Sequence, residues 1–295
     1  MNLVKDSFSL FRTIYAHPFN RRKPLFALYR LANWQLHKLL GTGSKVYRYW
    51  GTRQIVCYPD SQESMWLIYN YYMDWDEFHF IQRYVKQDSV VFDVGANIGI
   101  YTMWLSQFVG PGGRLVAFEP DPQNHQRCAE NIKRNGLAVA TLEQVALSNR
   151  VGELAFSVGE DLENHLIPQG AASGSSVYVQ ATTLDDYCSS HQVDTIDFMK
   201  IDVEGAELMV LHGGANVLGR GGVGVMQLEL NESLKRYGIQ RADVVDALGK
   251  HDYALYTYDC AKNHLERVRE RENTPQNVYA IRNIDAVRSR LAALQ

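Results

Sequence analysis

From Val90 onward the chain alternates short apolar runs with helical segments, and this alternation limits its fold more than any other property. The runs Val90–Val94, Leu115–Phe118, Ala140–Leu147, Ile196–Ile201, Val223–Leu230, Tyr253–Tyr258 and Asn277–Ile281 read as strands, with helical patterns between most of them. Such a succession predicts an α/β fold: a mainly parallel sheet of seven strands, covered by helices on both faces. The last two runs have no convincing helix between them, which predicts an antiparallel hairpin at the sheet edge. Gly152–Val158 is a candidate extra strand. Gly159–Ser176, rich in Gly and Ser, reads as a mobile insertion or lid.

Residues 1–87 read as a separate helical and strand-bearing extension, ahead of a catalytic block over 88–295. Pro24 opens a predicted amphipathic helix in which Leu25, Leu28, Ala32, Leu36 and Leu39 recur at helical spacing until Gly41. Strand-like runs follow at Val46–Tyr49 and Gln54–Tyr58, then a helical stretch over Met65–Val85. Charge is unevenly spread along the chain. Residues 1–60 carry ten Lys/Arg against two Asp, while the other 235 carry 20 Lys/Arg against 31 Asp/Glu, so a net charge of only −3 hides halves of +8 and −11. The basic segment Arg21-Arg22-Lys23, with Arg30, Trp34, His37 and Lys38, either lies on an anionic membrane surface or glycolipid carrier, or packs over the catalytic block with its charges in water. Cys57, Cys128, Cys188 and Cys260 form no C-x-x-C pair, and no apolar stretch approaches the roughly 20 residues of a membrane span. A cytoplasmic location is the simplest expectation.

The chemistry gathers at two strand ends. Val90–Val94 runs into Gly95-Ala96-Asn97-Ile98-Gly99 and then a helix over Ile100–Phe108, and ligands of doubly wound sheets bind at such turns. Asp93 supplies a carboxylate suited to a cationic amino group, and Gly95 and Gly99 are expected to let a ligand approach the backbone. A dinucleotide fingerprint would need glycines where Asn97 and Ile100 stand, which weighs against a nicotinamide-dependent oxidoreductase. The second strand ends in Glu119-Pro120-Asp121, 24 residues after Gly95. Glu119 is placed to accept both hydrogen bonds of a ribose diol, and Asp121 is the better helix cap.

Asp-Val-Gly-Ala-Asn-Ile-Gly at 93–99, Phe118-Glu119-Pro120 and Lys200-Ile201-Asp202-Val203-Glu204-Gly205-Ala206-Glu207 together resemble the FkbM family of class I methyltransferases over about residues 88–282. The segment His17–Arg21 also resembles the leader of some longer members. The resemblance implies a Rossmann-like fold, S-adenosyl-L-methionine as cofactor, and O-methylation of hydroxyls in sugars, glycans or natural products. It places Asp93, Gly95, Ala96, Asn97 and Gly99 near the methionine portion, Glu119 and Pro120 at the ribose, Val145 and Ala146 beside the adenine, and Asp202 next to the reactive methyl.

A hydroxyl acceptor must lose a proton as it is methylated. Asp202 is the candidate base or orienting carboxylate, with Glu204 beside it; Glu207 is expected to stabilise a helix start. His165 rivals Asp202 if the Gly/Ser-rich segment closes as a lid. Glu229 and Asn231 end the next strand, where they either help to hold Mg²⁺ or meet the acceptor. No metal is assigned. The acceptor is expected to be a small molecule or glycan and not nucleic acid, because the fourth strand lacks the Asn/Asp-Pro-Pro-Tyr element of base-methylating enzymes. A noncatalytic binding protein on the same scaffold is the competing class.

Overall fold

The computed structural model describes Arg12 and residues 14–41, 43–159, 164–168, 174–269 and 275–293. The chain divides into two compact units, Met1–His79 and Phe80–Gln295. Phe80 belongs to the second because its buried ring lies 4.2 Å from that of Tyr279 and 5.2 Å from that of Tyr258.

In the first unit, helices Pro18–Arg22 and Pro24–Leu39 precede a hairpin of β1 (Lys45–Tyr49) and β2 (Arg53–Cys57), followed by helix Gln62–Asn70. The long helical stretch foreseen over Met65–Val85 is broken. Tyr71 caps Gln62–Asn70 with φ +70°, and a new helix, Trp75–Tyr84, starts four residues later. The unit is held around Arg30, which is buried under a shell of aromatic rings. Its guanidinium lies 4.9, 5.3 and 5.5 Å from the Phe26, Tyr71 and Phe19 centroids and donates to the Asn20 Oδ1 and the Tyr69 carbonyl. Burial pushes its pKa down to about 10.

The Pro24 helix buries the face opposite its leucines. Ala27, Arg30 and Trp34 face inward, and the leucine stripe is exposed. The spacing gave the stripe correctly, but the charged Arg30 lies on the buried side because aromatic faces and two acceptors replace its water.

In the second unit, one sheet has the order β12-β11-β13-β10-β9-β3-β4-β5. Its parallel part comprises β3 (Val90–Val94), β4 (Arg114–Phe118), β5 (Ala140–Glu143), β9 (Ile196–Ile201) and β10 (Val223–Glu229). β13 (Asn277–Ile281) inserts antiparallel between β10 and β11 (Ala254–Asp259), and this gives the expected antiparallel edge. An eighth strand, β12 (His264–Arg267), extends that edge by pairing with β11. This is the expected Rossmann-like arrangement, a mostly parallel sheet with an antiparallel edge. The long run foreseen at Ala140–Leu147 splits: β5 stays in the large sheet, while β6 (Ala146–Leu147) joins β7 (Gly152–Ser157) and β8 (Ser176–Thr182) in a small second sheet.

Helices Ile100–Leu105, Pro122–Arg134, Leu184–Ser190, Glu207–Gly213, Ala215–Gly219 and Arg241–Gly249 connect the strands. The chain order reverses between β3 and β9, so the loops after these two strands open a crevice at their carboxyl ends. None of the four cysteines forms a disulfide, and all are buried. Among the described residues no helix is long and apolar enough to cross a membrane.

Candidate active site

Parallel register aligns Asp93 on β3 with Lys200 on β9, and Lys200 with Gln227 on β10, so three polar residues share one row on one sheet face. Helix Ile100–Leu105 covers that row. Thr102 Oγ1 donates to Asp93 Oδ2 at 2.6 Å, Tyr101 OH accepts from Gln227 at 3.3 Å, and the Lys200 ammonium sits 4.5 Å from the Tyr101 ring centroid. Asp93 is therefore fully buried. Burial raises its carboxyl above the usual range, against the pull of Lys200, and its Oδ1 has no hydrogen-bond partner among the described residues.

Where the chain leaves β3, Gly95 and Ala96 both donate to the Phe118 carbonyl at 3.0 Å, which draws the turn onto the end of β4. Gly95 has φ +81°, and a Cβ there would lie 1.8 Å from the Asp202 carbonyl. A Cβ on Gly99, at φ +90°, would meet Cys128 Sγ at 2.7 Å. Both glycines are thus required by protein packing, a different reason from the ligand approach expected of them. Gly95 is the point where the loops after β3 and β9 touch.

Glu119 joins the same turn to the tip of β4. Its Oε2 accepts from the Asn97 N–H at 2.6 Å and its Oε1 from the Asp121 N–H at 2.9 Å. Burial pushes its pKa up to about 8 despite those two donors. Each oxygen holds a single N–H and keeps a lone pair for one further donor, which fits the two hydroxyls of a ribose. Asn97, at φ +51°, is locked by its own side chain, whose Oδ1 accepts from Ile98 N. Asp121 caps helix Pro122–Arg134 as expected, through Asn124 N, and also takes 3.2 Å contact from Asn164 Nδ2. Pro120 links these two carboxylates in the chain. The Glu119 N–H donates to the Glu143 carbonyl at the end of β5, two residues before Val145 and three before Ala146.

The turn after β9 is a carboxylate cluster. Asp202 pairs with Lys200 Nζ at 2.9 Å and its N–H donates to the Val94 carbonyl. Glu204 and Gly205 follow with φ +53° and +103°, and a Cβ on Gly205 would strike the Ser233 carbonyl. Burial, and then the charges of Asp202, Glu229 and Glu207, push Glu204 up to about 8; Arg236, 4.0 Å away, partly offsets this. Glu207 folds back so that Oε1 accepts from Val203 N and Gly205 N, and burial raises it to about 7. It braces the turn, in line with the helix-start role expected of it.

Asn231 caps the short helix Glu232–Tyr237 through Ser233 N, and Glu229 accepts from Gln276 and Asn231. Among the described residues no group of three His, Cys, Asp or Glu is arranged to hold a metal ion.

Within the Gly/Ser-rich segment, Asn164–Pro168 is fastened beside β7. Ile167 N donates to the Ala155 carbonyl, Ser157 N to the His165 carbonyl, and Ser157 Oγ lies 3.1 Å from His165 Nδ1. Tyr237 OH donates to the Leu166 carbonyl at 2.5 Å. Residues 160–163 and 169–173 of the expected lid lie outside the described residues. The sequence reading did not single out Lys200, Tyr101, Thr102, Gln227 and Tyr237 as site residues. Only the place of Lys200 in its motif hinted at a role.

The model of the methyltransferase FkbM domain matches residues 93–255, more than half of the chain and all of the turns just described. The chain belongs to the FkbM methyltransferase family. Among curated relatives of this FkbM chain, the 2-O-methyltransferase NoeI of Sinorhizobium fredii is 35% identical over 45% of the chain and 60% of the relative. The hexuronic acid methyltransferase AglP of Haloferax volcanii is 29% identical over 54% of the chain and 63% of the relative. The chain thus spans about three fifths of the length of either. A solved FkbM methyltransferase from Methylobacillus flagellatus covers 66% of this chain and 44% of its own, at 19% identity and a TM-score of 0.42.

Proposed function

We propose that this FkbM chain transfers a methyl group from S-adenosylmethionine to a hydroxyl of a sugar, glycan or natural product. One observation carries the reading: a buried Glu119 clamps the turn after β3 to the tip of β4 and keeps one acceptor position open on each oxygen. In this reading Glu119 holds the ribose, with Pro120 alongside. Asp93, Gly95, Ala96, Asn97 and Gly99 form the wall at the methionine end, and Val145 and Ala146 flank the adenine. The similarity to a 2-O-methyltransferase and a hexuronic acid methyltransferase supports a sugar hydroxyl as acceptor.

Bound S-adenosylmethionine supplies an electrophilic methyl on a cationic sulfur. The protein's task is then to align the acceptor, exclude water and remove one proton. Asp202, whose Oδ2 is held by Lys200, orients the acceptor. Glu204 takes the hydroxyl proton, and the neighbouring carboxylates make it a stronger base than an isolated glutamate.

Isothermal titration with S-adenosylmethionine and its demethylated product tests the cofactor. Saturable binding is expected, weakened about 100-fold or more in Glu119→Ala, since two charge-assisted hydrogen bonds are lost. Binding of a nicotinamide dinucleotide in place of both compounds overturns the reading. Incubation of glycan extracts with labelled cofactor, followed by mass spectrometry, tests the acceptor class.

A further inference from the structure

The helix Pro24–Leu39 turns its apolar face to solvent. Leu25 is 81% exposed, Leu36 56% and Leu39 83%, and Leu40 just beyond the helix 66%. At 3.6 residues per turn, Leu25, Leu28, Tyr29, Ala32, Leu36 and Leu39 fall within one sector of about 100°, opposite the buried Ala27, Arg30 and Trp34. The inward face is fixed by the aromatic shell around Arg30 and by Asn20, whose amide donates to the Ile14 and Tyr69 carbonyls at 2.8 Å. The helix therefore cannot roll to hide its leucines without expelling a buried guanidinium. An ordered apolar stripe of this length marks an interaction surface.

Charge identifies the occupant. No Asp or Glu stands between Asp6 and Asp60, whereas nine Lys/Arg do, and Arg21, Arg22 and Lys23 are exposed at the start of the helix. A second copy seated on the stripe through a two-fold axis would bring two such basic blocks together, which like-charge repulsion opposes. An anionic bilayer takes up both features at once. Its headgroups attract the basic cluster at about 1 kcal/mol per residue, and its acyl boundary receives the leucines. Phe26 and Tyr29 are partly exposed beside them, and aromatic rings favour the headgroup level.

We propose that the helix Pro24–Leu39 lies in the plane of an anionic lipid surface, with Leu25, Leu28, Leu36 and Leu39 in the acyl boundary and Arg21, Arg22 and Lys23 on lipid phosphates. The inference uses only the first unit and stands whether or not the second transfers methyl groups.

Co-sedimentation of the full chain with vesicles of phosphatidylcholine or phosphatidylglycerol tests it. Binding to phosphatidylglycerol alone, reversed by high salt, is expected. Leu36→Glu/Leu39→Glu and Arg21→Glu/Arg22→Glu should each lower the bound fraction about tenfold or more. These residues are exposed, so circular dichroism and the melting temperature should stay unchanged, which separates lost binding from lost folding. Failure to bind phosphatidylglycerol vesicles overturns the proposal. So does slow hydrogen exchange of the helix amides in a lipid-free dimer that Leu36→Glu dissociates, because the stripe would then belong to a second copy. If the double-leucine variant binds vesicles as the parent does, the leucines are not inserted and the proposal also fails.

Discussion

A methyl group on Gly99 would press on Cys128 Sγ at 2.7 Å in a backbone conformation that L-residues rarely adopt. The two costs are separable. Gly99→Ala is expected to destabilise the protein by about 3 kcal/mol, and adding Cys128→Ala should remove the steric part and leave about 1–2 kcal/mol of backbone strain. Urea unfolding of the single and double variants measures this, and strictly additive losses would contradict the packing account. Glu204 yields a second residue-scale prediction. A base must be deprotonated to act, and Glu204 is held up at about 8, so the proposed transfer should slow as pH falls below 8. In Glu204→Gln that limb of the kcat/KM profile should disappear along with most of the activity, roughly 100-fold. The positions of Glu119 and Asp202 were readable from the sequence because each ends an apolar run, which fixes its place at the carboxyl end of a strand. Lys200, Gln227 and Tyr101 were not. Their meeting depends on the parallel register of β3, β9 and β10 and on a helix lying over them, and neither is local.

At the scale of elements, periodicity marked nearly every strand and helix but not their partners or their faces. The Pro24 helix shows why: a leucine stripe and a buried arginine have opposite hydropathies, and only the helix's own Phe26 ring together with the Phe19 and Tyr71 rings, brought in from other elements, reverses the usual choice. The break at Gln144-Val145 was hidden for a related reason. Leu142, Val145 and Leu147 keep the run strand-like on both sides of the polar Glu143-Gln144 pair, so nothing local marks where the chain passes from one sheet to another. The segment Asn164–Pro168 read as part of a Gly/Ser-rich lid, yet it is tied to β7 on one side and to Tyr237 on the other. Tyr237→Phe deletes only the hydroxyl that holds the Leu166 carbonyl. It should cost about 1 kcal/mol locally. Faster hydrogen exchange at Ile167, whose N–H bonds Ala155, with a nearly unchanged global melting temperature, is the expected result. An unchanged exchange rate would mean that β7 alone holds the segment.

Across the whole molecule, four carboxyls of the second unit are lifted together, each chiefly by burial: Asp93 above its usual range, Glu119 and Glu204 to about 8, and Glu207 to about 7. A carboxyl whose pKa is raised by folding binds more protons in the native state than in the unfolded chain. Stability is therefore lost as pH climbs from the unfolded value through the folded one. His17, lowered to about 4 mainly by burial, acts in the opposite sense but only below its ordinary value of 6.5. The interval from 6.5 to 8 thus isolates the carboxyls. Across it the ligand-free protein should lose on the order of 4 kcal/mol, or about 10 °C in Tm. Ribose hydroxyls donating to Glu119 would favour its ionised form, so the demethylated cofactor should flatten the slope as well as raise Tm. Thermal melts at closely spaced pH values, with and without that compound, separate the two effects. A ligand that raises Tm equally at both ends of the interval would not be touching the Glu119 carboxylate, and the ribose assignment would then be lost even though a cofactor bound.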